Sequence, residues 1–480
     1  MALIDFQKDN NNLLNFILTE RFFKNWKVGP VVVDVDGTSQ IGGDSTELGL
    51  YNSSTLELFL TSRCNQKCEY CYLSKYEDKL YPPEYNKPEI IIANLKKIFN
   101  WIIDNDLSIP TIDIFSGEIW HTQFGLDVLN LILLYLDKGM NCHNFIIPTN
   151  MSFIHDVDQM CRIQNIIDDA AQKYDTRICF SASIDGKYCE DGRPRKDGTI
   201  NDDKFYENLF LFCQHNNYFF HPMISATNVF HWKENYDWWK QNCYDYNFIF
   251  RKAVMPIDVR DDNWTEEAIQ ARVDLEEYIF EDYIKTDCKG NLDELWKHCF
   301  PSADRSIECD GYMSPSLGTA YSFPGCTVAD ALTIRVGDLA IVPCHRTAYD
   351  KFTYGYLDVQ DDKIVGIKGA NNVHMAMKVL LMDHKNTSYE CDICPYSDYC
   401  LRGCFGAQYD YKKDPFITCK SVCELFKRKI KKKIELYEKY GIIDKIKTLT
   451  EVDDEYPRVQ SFLKNYENIK NEVNIYDKMA

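Results

Sequence analysis

The stretch "LELFLTSRCNQKCEYCY", Leu56 to Tyr72, is the key to this chain. It begins as a short apolar run of strand length and ends in three cysteines within eight residues, spaced Cys64-x3-Cys68-x2-Cys71. Cysteine thiolates hold iron–sulfur clusters, and a four-iron cubane takes four ligands. A trio therefore leaves one iron free to bind something else. Zinc competes for cysteine-rich spacings, but structural zinc sites are closed and four-coordinate, and their usual signature is paired C-x2-C units.

Beyond that stretch, β-rich runs alternate with segments of helical period. The strand candidates are "LELFLT" (56–61), "TIDIFSG" (111–117), "NFIIPTN" (144–150), "RICFSASIDG" (177–186), "FFHPMISAT" (219–227) and "NFIFRKAVM" (247–255). Helical stretches separate them at 89–105, 125–139, 164–174, 203–214 and 233–242, and another follows at 266–284. Six strand-then-helix units predict an α/β fold with a parallel sheet. Six are too few for an eight-fold barrel, so a partial, TIM-like (β/α)6 barrel is expected over 56–286. Chemistry in such sheets gathers at the C-terminal ends of the strands. The cysteine trio follows the first of them.

The remaining boundaries follow from composition. Residues 1–55 form an N-terminal extension in which "GPVVVDVDG" (29–37) reads as a small strand or hairpin. Over 287–425 the alternation fades and Gly, Pro and Cys rise, predicting a loop-rich, cysteine-rich domain that metal clusters would help to hold. Residues 426–480 are a helix and a polar tail. The basic run "KRKIKKK" (427–433) reads as a solvated helix face.

The 480 residues are 45% hydrophobic and carry a net charge of −19. Phosphate backbones need a basic footprint, so nucleic acid is not an expected partner. No secretory signal opens the chain, and the longest apolar runs are too short to cross a bilayer. A cytoplasmic protein without a membrane partner is expected. Its 20 cysteines are clustered, which in a reducing compartment points to metal ligands or catalytic groups. Cys142, Cys161, Cys179, Cys189, Cys213, Cys243 and Cys288 lie outside the clusters and read mostly as buried apolar fillers.

The trio, with aromatic Tyr70 before its last cysteine and its place after the first strand of six, resembles the radical SAM superfamily. That resemblance implies a [4Fe-4S] cluster on Cys64, Cys68 and Cys71, whose free iron chelates S-adenosyl-L-methionine. Ser116-Gly117-Glu118 resembles the family's GGE segment, which holds the methionine amino group, with Ser in place of one Gly. "PTN" (148–150) resembles TNG, placing Asn150 at the site with Met151 where Gly is usual. "SASIDG" resembles SxDG, so Ser181 or Ser183 is expected at the ribose or carboxylate. Arg195 lies where relatives place a carboxylate partner, and Arg193 is equally available. Tyr70 joins this cofactor set.

A second field, Cys391-x2-Cys394-x5-Cys400-x3-Cys404, resembles the SPASM extension of these enzymes. "GCTVADALTIRVGDLAIVPCHR" fits its upstream half through Cys326, Gly337 and Cys344, with a longer gap before Cys344 than usual. The resemblance implies two auxiliary [4Fe-4S] clusters, making three in all. Cys391, Cys394, Cys400 and Cys423 would hold one, with Cys419 a rival to Cys423. Cys326, Cys344 and Cys404 would hold the other, its fourth ligand being Cys309 or, failing that, Cys299.

Relatives of this type modify peptides or proteins. The expected function is maturation of a ribosomally made precursor peptide, installing a thioether or carbon–carbon crosslink with an external one-electron reductant. Alternatives are formylglycine formation on a sulfatase, peptide epimerisation, or a non-catalytic zinc or iron–sulfur scaffold. Formylglycine-forming relatives carry a basic Asp directly after the hairpin cysteine. Here that residue is His345, a candidate base or cluster-side hydrogen-bond donor.

Overall fold

The computed structural model describes residues 55–293, 295–300, 313–317, 331–353, 355–368, 403–414, 417–448 and 457–471. It also describes short pieces between 391 and 400 and two two-residue strands near the N-terminus. Strand β1 (Thr55–Phe59) leads through the cysteine loop into α1 (Tyr72–Leu80) and α2 (Pro88–Asp104). Then come β2 (Ser108–Phe115), α3 (Phe124–Asp137), β3 (Asn141–Thr149), α4 (Val157–Tyr174), β4 (Arg177–Ala182) and α5 (Asp203–Asn216). The fifth unit breaks into β5 (Phe219–Phe220) and β6 (Met223–Ile224) before α6 (Trp232–Asp245). After it stand β7 (Ile257–Asp258) and the long α7 (Glu266–Thr286).

Local sequence explains where the helices start. Pro88 opens α2, where its missing N–H costs nothing. Asp156, Asp202 and Thr265 cap α4, α5 and α7 by accepting from the amides of Gln159, Phe205 and Ala268. Strand residues alternate as a half-open sheet requires. Leu56, Leu58, Ile112, Ile114, Phe145, Ile147, Ile178 and Phe180 share one buried cluster with helix residues such as Leu95, Phe99, Leu129 and Ile163. The intervening positions face the other way, and Asp113, Phe115, Ile146 and Pro148 are only half-buried there.

The segment after α7 returns to the same sheet. Strands β8 (Ala331–Arg335), β9 (Ala340–Val342), β10 (Gly355–Gln360) and β11 (Lys363–Lys368) follow. The order across the sheet is β11-β10-β9-β8-β1-β2-β3-β4-β5, and Val32–Val33 and Ser39–Gln40 extend it beyond β11. From β8 to β5 every neighbour is parallel, while β9, β10 and β11 pair antiparallel. The β8–β9 hairpin that leads to Cys344 is thus hydrogen-bonded along the edge of β1. Helices α8 (Phe405–Lys412), α9 (Lys420–Lys439), α10 (Ile442–Lys447) and α11 (Pro457–Lys470) complete the described chain. The protein is a mixed α/β structure on a mostly parallel sheet; β6 and β7 pair separately.

Two expectations need correction. The sixth strand is not 247–255: Phe250–Ala253 is a helical turn, and strand pairing starts at Val254. Phe250 packs edge-on against Tyr236, while Arg251 reaches back to Asp282, Asp287 and the Met313 carbonyl. A turn satisfies these contacts together. The basic run 427–433 is not a solvated face. Lys429 pairs with Asp258 and Glu276, and Lys433 with Glu276, both carboxylates being buried beside Arg272. The cysteines outside the clusters are mostly buried, as expected of fillers: Cys142, Cys179, Cys189, Cys213 and Cys243 are buried, Cys288 is half-buried and Cys161 exposed. Among the described residues no helix is long and apolar enough to cross a membrane.

Candidate functional site

The cysteine loop is fixed on both sides by backbone. Beyond β1 and β2 the ladder continues through Gly117 N–H to Thr61 O (2.6 Å) and Glu118 N–H to Arg63 O (2.8 Å). A Cβ at Gly117 would lie 2.7 Å from the Ser62 carbonyl oxygen and closer still to that of Arg63. Only glycine lets the second strand approach the loop this way. On its far side the loop is tied to residues 192–196, with Lys67 N–H on Pro194 O and Lys196 N–H on Asn65 O, both at 2.9 Å. Asn150, at the end of β3, donates to Asn65 Oδ1 at 2.8 Å. Three strand ends and the 192–196 segment therefore converge on Cys64, Cys68 and Cys71.

Glu118 is 1% exposed. Its carboxylate accepts from Thr149 Oγ1 at 2.9 Å, Asn150 N at 2.7 Å and Trp120 N at 3.1 Å. A carboxylate has about four acceptor positions, so one remains on Oε1. Burial pushes Glu118 up to about 7, against the pull of these hydrogen bonds and of Arg195. Nearby Ser116 Oγ and Arg195 Nε are buried without a hydrogen-bond partner. Burial, reinforced by Glu118, also pushes the Cys64 thiol up to about 12, and Cys68 rises for the same first reason. Each of these two thiols also feels Cys71. As thiols they are held protonated, and a metal would have to displace the proton.

The two arginines separate. Arg193 Nε donates to Asp185 Oδ1 at 2.8 Å and its guanidinium lies over the Tyr70 ring. Tyr70 Oη donates to the other oxygen of Asp185, also at 2.8 Å. Asp185 further accepts from Met223 N and Asn228 Nδ2, so it is a hydrogen-bonding hub. Arg195 keeps its Nε free beside Glu118 and rests Nη2 on Asn201. Ser181 Oγ lies 3.1 Å from His221 Nδ1; Ser183, half-buried, donates its N–H to Thr149 O. Burial, with Arg193, lowers His221 to about 4, leaving a neutral ring.

The sheet face away from the helices carries a row that composition does not reveal. In register, Thr333, Glu57, Asp113, Ile146 and Cys179 lie side by side across β8, β1, β2, β3 and β4. Glu57 is fully buried; its carboxylate accepts from His345 N at 3.1 Å and lies 2.9 Å from His345 Nδ1. Burial raises Glu57, but contact with His345 outweighs it and holds Glu57 below its ordinary value. Asp113 goes the other way, pushed well up by burial and by the Glu57 charge. The His345 ring stacks on Phe115 at 3.8 Å. Sequence reasoning missed Glu57, Asp113 and His221; the available signal was a polar residue inside an apolar strand run.

In the second cysteine field, Cys344, Cys404 and Cys419 each precede a helical turn. Arg346 joins them: it pairs with Asp261 and lies 3.8 Å from Asp410 of α8. Cys391, Cys394 and Cys400 are half-buried, as is Cys423. Cys326 and Cys309 lie outside the described residues. Among the described residues no three His, Cys, Asp or Glu side chains meet closely enough to share one metal ion. A four-iron cluster, being larger, holds its cysteines further apart than a single ion does.

No family model matches the sequence, and no curated protein is similar enough in sequence to match it. Solved structures do match. The chain is similar to native anSMEcpe with bound AdoMet and Cp18Cys peptide, at 17% identity and a TM-score of 0.50, over 82% of this chain and 98% of that one. Native anSMEcpe with bound AdoMet gives 17%, 0.52, 82% and 98%. A hexahistidine-tagged anSMEcpe with bound AdoMet gives 17%, 0.51, 86% and 98%. What this chain shares with anSMEcpe is its fold, across nearly the whole length of that protein.

Proposed function

We propose that this protein is a radical SAM peptide maturase, with Cys64, Cys68 and Cys71 holding a [4Fe-4S] cluster and the strand ends around them holding S-adenosyl-L-methionine. One observation carries the reading: the trio is clamped between Gly117–Glu118, Asn150 and residues 192–196, where buried groups await a polar ligand. The residues fit the cofactor. Glu118 has an acceptor position left for an ammonium, Arg195 has an unpartnered donor for a carboxylate, and Ser116 an unpartnered hydroxyl. Ser181 and Ser183, at and just beyond the end of β4, are the residues proposed for the ribose. Tyr70 fixes Arg193 and Asp185 beside Cys68. The shared fold with anSMEcpe, a sulfatase-maturating radical SAM enzyme, supports the same class.

When bound, these cofactors supply a deoxyadenosyl radical that removes a hydrogen atom from an unactivated carbon. The protein's own part is to bind, orient and exclude water. The half-open sheet face with Phe115, Ile146 and Pro148 offers an apolar floor for a peptide side chain. His345, its ring held by Glu57 and stacked on Phe115, is the group proposed to accept a proton leaving the substrate. Two auxiliary clusters on the C-terminal cysteines, a partial barrel, and crosslinking as the outcome complete the proposal. The substrate is a peptide, and an external one-electron donor is required.

The test is co-expression with a candidate precursor peptide, followed by mass spectrometry. Each crosslink removes two hydrogens and blocks fragmentation between the joined residues. A formylglycine product would instead react with hydroxylamine, and an unchanged mass with altered chirality would mark epimerisation. A colourless, zinc-bearing protein that releases no 5′-deoxyadenosine under reductant would overturn the enzyme reading altogether.

A further inference from the structure

We propose that Cys419 is a further ligand of the cluster held by Cys344 and Cys404, an assignment that rests on the iron–sulfur reading above. Cys299, packed in a separate core, is not needed there.

The argument starts from a junction of three chain segments. Arg346, two residues after Cys344, pairs with Asp261 in the loop after β7. The next residue, Asp262, accepts from both Ser421 N (2.8 Å) and Ser421 Oγ (2.7 Å), which pins the first turn of α9 and with it Cys419. On the other side Arg346 reaches Asp410 of α8, and α8 closes directly onto the arginine stem: a Cβ at Gly406 would meet Arg346 Cδ at 2.8 Å. That closure brings in Cys404, the residue before α8. Cys404 acts electrostatically on both Arg346 and Cys419. Cys419 itself is 3% exposed.

An independent feature points to a ligand at this junction. Tyr72 is 8% exposed and its hydroxyl has no hydrogen-bond partner. It stands where Cys71, Arg346 and Cys344 all act on it, with the Arg346 guanidinium 5.0 Å from its ring. Arg346 Nε is also buried without a partner. Buried donors left unpaired cost stability, and the sulfurs of an iron–sulfur cluster accept such hydrogen bonds. A cluster on Cys344, Cys404 and Cys419 would satisfy both.

The competitors are placed elsewhere. Cys299 packs among Phe280, Phe300 and Tyr437 in a separate C-terminal core. Cys423 lies one helical turn beyond Cys419, its N–H on the Cys419 carbonyl at 3.0 Å. Four residues of helix carry it about 6 Å along the axis, away from the Asp262 anchor.

The experiment uses the full chain, purified and reconstituted anaerobically, with iron and sulfide analysis and EPR of the reduced protein. Wild type is expected to carry about twelve irons in three cubanes. Cys419→Ser is expected to lose about a third of that iron and one EPR component. Adding Cys404→Ser should cost nothing more, because both remove the same cluster, whereas adding Cys400→Ser should remove a second. Cys299→Ser should keep its iron. Ser421→Ala disturbs the same helix end without touching a thiol and should also keep it. Full iron and an unchanged spectrum in Cys419→Ser overturn the assignment. So does equal iron loss in Ser421→Ala, which would make the effect one of packing. A wild type without iron would overturn the underlying reading instead.

Discussion

At the scale of single residues, Gly117 and Glu118 are the most exacting positions. A methyl at Gly117 must displace the Ser62–Arg63 backbone, so Gly117→Ala is expected to cost about 1–3 kcal/mol, as overpacking does. The measurement is a lowered urea midpoint at unchanged slope. Glu118 gives a pH dependence of definite sign. Its folded value of about 7 lies above the ordinary 4.5, so the folded state favours the proton. Stability of the metal-free protein should therefore fall as pH rises from about 4.5 to about 7, by roughly 3 kcal/mol, and level off above. Glu118→Gln should flatten that profile while weakening S-adenosyl-L-methionine binding by about ten-fold or more, as loss of a charged hydrogen bond implies. Calorimetric titration checks the second effect, and an unchanged affinity would remove Glu118 from the cofactor site. Residue identity was legible here because motif and strand end coincide. Glu57 was not, since a carboxylate inside "LELFL" becomes meaningful only once His345 arrives from far along the chain.

At the scale of elements, the informative pair is α7 against α9. Asp258, Arg272, Glu276, Lys429 and Lys433 form a buried network between β7 and these helices. Burial pushes Glu276 up, but the surrounding cations Lys433, Arg272 and Lys429 outweigh it and hold the carboxyl well below its ordinary range, so it stays ionised at neutral pH. Breaking such a network from one side strands the opposite charges. Asp258→Ala is expected to destabilise by about 3–5 kcal/mol in denaturant unfolding. Removing the exposed partner Lys439, which meets Glu277 and Glu281 at the surface, should change stability little, because solvent screens exposed pairs. Helix positions were readable from period and caps. The role of the basic run was not, because a one-dimensional pattern cannot say that an acidic helix face lies opposite.

At the scale of the molecule, the unexpected feature is that β8 and β9 extend the β1 edge, so residues far apart in sequence share one sheet. Arg335, fully buried, locks this union: it pairs with Asp338 and Asp350 and donates to the carbonyls of Leu80 and Ala348. Hydrogen exchange should follow the architecture. Amides of β1, β2 and β8 should open only with global unfolding, while the two-residue strands β5 and β6 exchange sooner. Fast exchange in β8 would contradict its place inside the sheet. The cysteine-rich segment was expected to lack a core of its own, and this pairing supplies part of what it lacks.

Residue order alone was enough to read the alternation of strands and helices, the three-cysteine loop after the first strand, and the residue types at the other strand ends. Those are local properties, written in period, caps and short spacing. It took the folded chain to show that Glu57 meets His345, that Arg195 rather than Arg193 keeps a free donor, that the basic run is neutralised, and that Cys344, Cys404 and Cys419 approach one junction. Each of these depends on which distant segments share a face, and burial, not sequence spacing, sets that choice.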